Sequence, residues 1–282
     1  MPKNSKSTFW NDIPSSWDLI GPPLRPSSED VAVVERQLLE IFSRSNFSSP
    51  FRALLLGVTP EIATLNWPDI AWLTAVDRAP GMIAHVWPGN SERRAAVCGD
   101  WLQLPFRENS FDWVIGDGCL LLLDYPNAYR RLADGIVRAL SDHGSLMLRI
   151  FCRPGQTESV DDVMRELRAG RIGGFDAFKW RFLMAIQGGD VLRGVQLAEA
   201  WDIWRQRVPN PSEFATEHGW SMEKVSVMDA YRDDPAFYHF PSEDEACAAM
   251  GDTLTPVKRV VGSYELADRC PHILFMPRKE VP

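Results

Sequence analysis

Apolar positions along this chain follow two rhythms that alternate. Val31, Val34, Leu38, Leu39 and Phe42 recur at helical spacing and, with Ser27 or Ser28 as cap, predict a helix from Glu29 to about Arg44. The next run, Arg52-Ala53-Leu54-Leu55-Leu56-Gly57, is short, continuous and closed by glycine, as suits a strand buried on both faces. Thr59-Pro60-Glu61 then offers a hydroxyl cap, proline at the first helical position and an acid in the first turn. Ala71 to Asp77 predicts a second strand, Ala79-Pro80 a second such helix start, Arg94 to Cys98 a third strand and Trp113 to Asp117 a fourth. Pro126 to Leu140 is an amphipathic helix, and Asp142-His143-Gly144 turns the chain into a fifth strand, Ser145 to Phe151.

Strand and helix in alternation imply right-handed crossovers and a parallel sheet, an α/β class. After Arg153-Pro154-Gly155 the rhythm changes. From about Ser159 to Val208 the chain is helical in character, broken by Gly173-Gly174 and Gly188-Gly189. Its aromatics, Phe175, Phe178, Trp180, Phe182, Trp201 and Trp204, can form a small core of their own and also close over the carboxyl edge of the sheet. Pro211 to His218 reads as a further scaffold helix, and Val257 to Tyr264 with His272 to Met276 as a terminal pair of strands. The division expected is a leader and helix over 1–45, a sheet half over 46–152, a helical insertion over 153–208 and the rest of the sheet over 209–282.

Composition narrows the classes of function. The 282 residues, 45% apolar and 24% charged, match an ordered globular chain of one large domain with an insertion. Net charge is -8 and no Lys/Arg run exceeds two residues, so nucleic acid is a poor partner. The five cysteines form no Cys-x-x-Cys pair and the five histidines no ligand spacing, so no metal is expected. Scattered reduced thiols, a polar start without an apolar leader, and a longest apolar run of only Cys119 to Leu123 point to a soluble cytoplasmic protein with no membrane span. Oligomeric state stays open, with a homodimer among the options.

Candidate chemistry gathers at strand ends. Asp77 closes the second strand, Asp100 follows the third, and Asp117 closes the fourth, where open α/β sheets bind ligands. Each has a plainer reading: Asp77 before Arg78-Ala79-Pro80 and Gly99-Asp100 as turns, Thr59-Pro60-Glu61 as an ordinary cap. Their combination, 23 and 17 residues apart, is more telling than any one of them. A Gly-x-Gly-x-x-Gly loop is missing after the first strand, which speaks against an NAD site.

Asp100-Trp101 to Pro105-Phe106, followed by Ser110-Phe111-Asp112 and Gly116-Asp117-Gly118, resembles the second half of the S-adenosylmethionine (SAM) site in class I SAM-dependent methyltransferases. The resemblance covers roughly Phe51 to Phe151. It implies a doubly wound, seven-stranded, mostly parallel sheet with an antiparallel last strand, and methyl transfer from SAM to a small-molecule acceptor with S-adenosylhomocysteine (SAH) as product. It further implies that Gly57 and Thr59 cradle the methionine half, and that Asp77, with Arg78 beside it, accepts the ribose diol. Met82 would line the adenine pocket, Asp100 would bind the adenine amino group, and Trp101 would pack beside the ring. Asp117 and Gly118 would meet the methionine amine near the methyl group, Asp117 serving as a SAM ligand or facing the acceptor. Arg25, in the rigid Pro-Leu-Arg-Pro leader, could pair with the SAM carboxylate, and His239 could serve as a base. The chain departs from the family by keeping only Gly57 where two or three glycines are usual. That departure leaves a second class open: a non-catalytic SAM- or SAH-binding regulatory or partner protein. Neither Asn-Pro-Pro-Tyr nor Pro-Cys follows the fourth strand, so the signatures of base methylation are missing.

Overall fold

The computed structural model describes residues 17–44 and 50–278. Helix α1 (Ser28–Arg44) precedes β1 (Phe51–Leu56), a short α2 (Pro60–Ala63), β2 (Ala71–Asp77), α3 (Pro80–His85), β3 (Arg94–Cys98) and β4 (Phe111–Asp117). Helix α4 (Asn127–Ala139) leads into β5 (Leu140–Arg149). The sheet has seven strands in the order β3-β2-β1-β4-β5-β9-β8. The first five pair in parallel, and β9 (His272–Pro277) runs antiparallel to both β5 and β8 (Leu254–Val260). The expected fold class holds, down to the antiparallel late strands.

Strand alternation explains how one sheet serves two cores. Ala53, Leu55, Trp113, Ile115 and Met147 face the layer built by α1 and the helical insertion. Leu54, Leu56, Val114, Leu146 and Leu148 face α4 and α10 (Glu243–Met250) on the other side. Helix α10 starts from a reciprocal Ser242/Glu245 capping box.

Two local expectations are corrected. Asp142-His143-Gly144 is no turn before β5. The register passes from Phe111↔Leu140 to Trp113↔Ser145, so these residues form a bulge within a strand that starts where α4 stops. Pro211–Glu217 (α8) is no sheet-flanking helix. Its Phe214 packs 5.7 Å from the Phe178 ring, 5.2 Å from Trp204 and 5.7 Å from Trp220, inside the insertion's own core. The insertion therefore runs on through α5 (Val160–Arg168), α6 (Phe175–Gln187), α7 (Leu197–Arg207), α8, α9 (Met222–Val225) and the 3-10 turn Ser226–Tyr231. A two-stranded sheet of β6 (Val195–Gln196) and β7 (Phe237–Tyr238) ties the start of α7 to the segment that follows the 3-10 turn. Trp201 packs on the outside of this core, only partly buried: its indole N–H donates to Asp229 at 3.0 Å and Arg232 lies over its ring. Among the described residues, no helix is long and apolar enough to cross a membrane.

Candidate functional site

At the carboxyl ends of β1, β2 and β4 the sheet and the insertion bound a cleft of about 930 Å³, its open mouth included. Gly57 forms one rim. Its φ of +98° is a conformation that glycine adopts without strain, and its N–H donates to the Val76 carbonyl at 2.8 Å. The Trp101 indole N–H donates to that same carbonyl at 2.7 Å, which fixes the ring opposite the glycine. A Cβ on Gly57 would stand 3.8 Å from Trp101 Cζ2 and 3.9 Å from Asp77 Oδ2. The bare backbone, the indole and the carboxylate thus share one corner. Asp77 is buried there, its Oδ1 accepting from the Ala79 N–H at 2.8 Å, and burial raises its pKa despite that bond. Arg78, Met82 and Thr59 also line the cleft, but Thr59 makes no side-chain cap for α2.

Asp117 and Gly118 line the far end. Gly118 has φ +63°, and a Cβ there would stand 2.5 Å from Phe151 Cε2, so only glycine fits. Asp117 accepts from Arg149 Nε at 2.5 Å. Arg149 is wholly buried, and its Nη1 also donates to the Pro23 carbonyl at 2.8 Å and reaches Asp30 at 3.4 Å. Asp30 in turn accepts from His272 Nε2 at 2.8 Å and from the Tyr264 hydroxyl at 2.9 Å. Burial opposes charge on both partners. The carboxylates nonetheless hold the guanidinium above its ordinary pKa, while His272 and Arg149 hold Asp30 down at about 2.

Three expected residues lie elsewhere. Asp100 does not line the cleft; its Oδ1 accepts from the Leu102 N–H at 2.9 Å and shapes the turn that presents Trp101. Arg25 is paired within the protein, 2.6 Å from Glu61 and over the Trp17 ring. His239 is buried against the Val191 carbonyl at 2.9 Å, behind the cleft wall. Asp117 remains in the cleft, but one of its oxygens belongs to Arg149.

Of the insertion aromatics expected over the sheet edge, Trp180 of α6 lines the cleft; sequence reasoning missed Lys179 beside it, Tyr231 from the 3-10 turn and Tyr238 of β7, with Phe151 beneath them. Their signal was legible. Asp176, Lys179 and Arg181 are the charges of a helix otherwise rich in Phe, Trp, Leu and Ile, and in such a run a charge tends to face protein; Arg181 pairs with Glu158. Burial lowers the Lys179 pKa to about 8, Asp176 opposing. Cys119, also in the wall, has its thiol pushed up to about 12 by burial and by Asp117, and is no nucleophile. Among the described residues, no three His, Cys, Asp or Glu side chains gather as metal ligands.

A family model described as a methyltransferase domain matches residues 56–148. A malonyl-[acyl-carrier protein] O-methyltransferase of Herminiimonas arsenicoxydans is 36% identical over 83 residues, 28% of this chain. The aligned part spans only about 30% of that curated relative. In fold, the chain is similar to a Rhodobacter sphaeroides protein provisionally described as a Zn-dependent alcohol dehydrogenase, with TM-score 0.63 and 18% identity over 98% of this chain and 100% of the other. It also resembles an N-methyltransferase of Bradyrhizobium japonicum solved with SAH, with TM-score 0.49 and 15% identity over 97% and 100% of the two chains. A sixth parallel strand would complete a dinucleotide-binding sheet; here β9 runs antiparallel between β5 and β8. Residues 56–148 match a methyltransferase domain, and the seven-stranded sheet they help to build has the strand order of the class I methyltransferase fold.

Proposed function

We propose that this chain transfers the methyl group of SAM to a small molecule seated beneath the helical insertion. One observation carries the reading: Gly57, Asp77, Trp101, Asp117 and Gly118, from separate strand ends, line a single cleft whose opposite wall is aromatic. The residues suit the nucleoside. Gly57 leaves bare a surface that a Cβ would fill, Trp101 offers a fixed aromatic plane, and the Asp77 carboxylate has acceptor capacity beyond its backbone bonds. Asp117, oriented by Arg149, is suited to an amine at the strand end.

SAM, when bound, supplies a methyl group already activated on a sulfonium sulfur. The chain's own work is then to orient an acceptor and to exclude water. Phe151, Trp180 and Tyr238 form an apolar enclosure suited to both tasks. No strong base is needed for an acceptor that arrives ionised.

Titration calorimetry tests the reading with SAM, SAH and NAD. Binding of SAM and SAH but not NAD is expected; binding of NAD alone would overturn it. The loop reduced to Gly57 favours a second reading, a binding protein without turnover. It would gain if SAM bound yet no methylated product formed across an acceptor screen that includes malonyl-carrier protein.

A further inference from the structure

Lys179 is 1% exposed, yet it lines the cleft. Among the described residues it makes no salt bridge; its ammonium lies 5.7 Å from the Trp180 ring centroid and 5.8 Å from that of Tyr231. The nearest acid on its own helix, Asp176, is already held by Lys224 at 2.7 Å and by the Gly21 N–H at 2.9 Å. Trp180 lines the same wall, and its indole N–H is buried without an acceptor. A buried cation with no carboxylate partner among the described residues, set in an otherwise aromatic cleft wall, favours an anion.

From this geometry we infer that the acceptor subsite takes a flat, apolar acid, its anionic oxygen paired with Lys179 between the aromatic faces of Trp180 and Tyr231. Carboxylates and phenolates share that chemistry. Cationic amines are disfavoured by the buried ammonium. The inference rests on the methyl-transfer reading for its biological meaning, but not for the binding it asserts. If the paired oxygen is also the nucleophile, its lone pair forms the new O–CH3 bond and the S–CH3 pair returns to sulfur. An ester or ether and SAH result, and no proton is left over.

Lys179 must be charged to hold the anion. Its titration falls at about 8, because burial disfavours the charge. The other ionisable groups around it are Asp176 on α6, Lys224 on α9, Tyr231 and Tyr238 in the wall, and Asp77 and Asp117 across the cleft. Burial pushes both tyrosines to higher pKa values, so neither ionises in the range that matters. Affinity for a permanently ionised acid should therefore fall as pH rises through about 8.

Calorimetry of the full chain, with and without SAH, tests this using 2-naphthoate, 2-naphthol and the neutral 2-naphthamide. Naphthoate should bind about tenfold or more tightly than the amide, the scale of one charge-assisted contact. Above the Lys179 titration that preference should decline by about tenfold per pH unit. Lys179→Met should abolish the preference, while Lys179→Arg should keep it and flatten the pH profile. The naphthol arm tells a phenolate subsite from a carboxylate one. Equal binding of acid and amide, no binding of either acid, or an unchanged preference in Lys179→Met would overturn the inference. The cofactor arm separates the two readings. SAH bound with no acid preference sinks the acid subsite alone, whereas an acid preference in a protein that never binds SAH sinks the methyl-transfer reading alone.

Discussion

Arg149 Nε stands 2.5 Å from Asp117 Oδ1, joining the last residue of β5 to the last residue of β4 at the edge of the cleft. Through Nη1 the same guanidinium reaches the Pro23 carbonyl and Asp30, so the segment before β1 is locked to the sheet beside the site. Stability and site geometry therefore share one buried ion cluster.

Removing the cation should cost more than the pairs themselves are worth, because two buried carboxylates would be left without it. Arg149→Met is expected to destabilise the protein by about 3–5 kcal/mol. Urea unfolding monitored by tryptophan fluorescence measures this. A loss below about 1 kcal/mol would mean that water reaches and solvates the cluster.

The Asp30 carboxyl titrates at about 2 in the fold, against an ordinary 3.8. A depressed folded pKa adds stability that is fully present above the ordinary value and lost as pH falls through the folded one. Asp30→Asn should thus be less stable than the parent by about 2 kcal/mol at neutral pH. That gap should narrow as pH falls from about 4 to about 2. Parallel unfolding curves across this window test it, and a gap independent of pH would refute the linkage.

Asp77 lines the cleft and Asp100 does not, so their substitutions should separate. Asp77→Ala is expected to weaken SAM binding by about 1–3 kcal/mol, the scale of a lost buried polar contact. Asp100→Ala should act only through the turn that presents Trp101, with a smaller effect. Calorimetry on both variants decides; a larger loss for Asp100→Ala would move the nucleoside out of the Gly57 corner.

Gly118→Ala must displace Phe151, because the new methyl would overlap its ring and the backbone there has positive φ. A stability loss of about 1–3 kcal/mol is expected, together with weakened SAM binding. Gly57→Ala also strains the backbone, but with ordinary contact distances around it, so its effect should fall on binding more than on folding. Thermal melts with and without SAM tell the two apart.

Native alkylation should discriminate among the thiols. Cys98 is exposed and should react with iodoacetamide, whereas Cys119, Cys152 and Cys270 are buried, with thiols held far from ionisation. Peptide mass spectrometry reads the pattern. Cys119→Ala should leave transfer activity within about twofold, since an un-ionised buried thiol is no nucleophile.

Much of the frame was legible because its signals are local. Ala71–Asp77 and Arg94–Cys98 occur with the bounds read from the residues alone, the first a mostly buried apolar run and the second a short, partly exposed edge strand, each closed by turn residues. The β5 bulge was missed because Asp142-His143-Gly144 has turn composition whether the chain reverses or merely loops within a strand. Helix α8 was misassigned because Phe214 looks the same whether it faces the sheet or the insertion.

By itself, then, the sequence determined the alternation of strands and helices, the parallel class and the acids at strand ends, all encoded over windows of ten residues or so. Only the tertiary structure decided which of those acids face the cleft. It turned Asp100 toward its own turn, gave Asp117 to Arg149, Arg25 to Glu61 and His239 to a backbone carbonyl, and carried Lys179 to the wall opposite Asp77. The reason is physical. Periodicity tells a residue which face it occupies, whereas its partner is chosen by packing between segments as distant as Asp30 and Arg149, 119 residues apart, which no local pattern records.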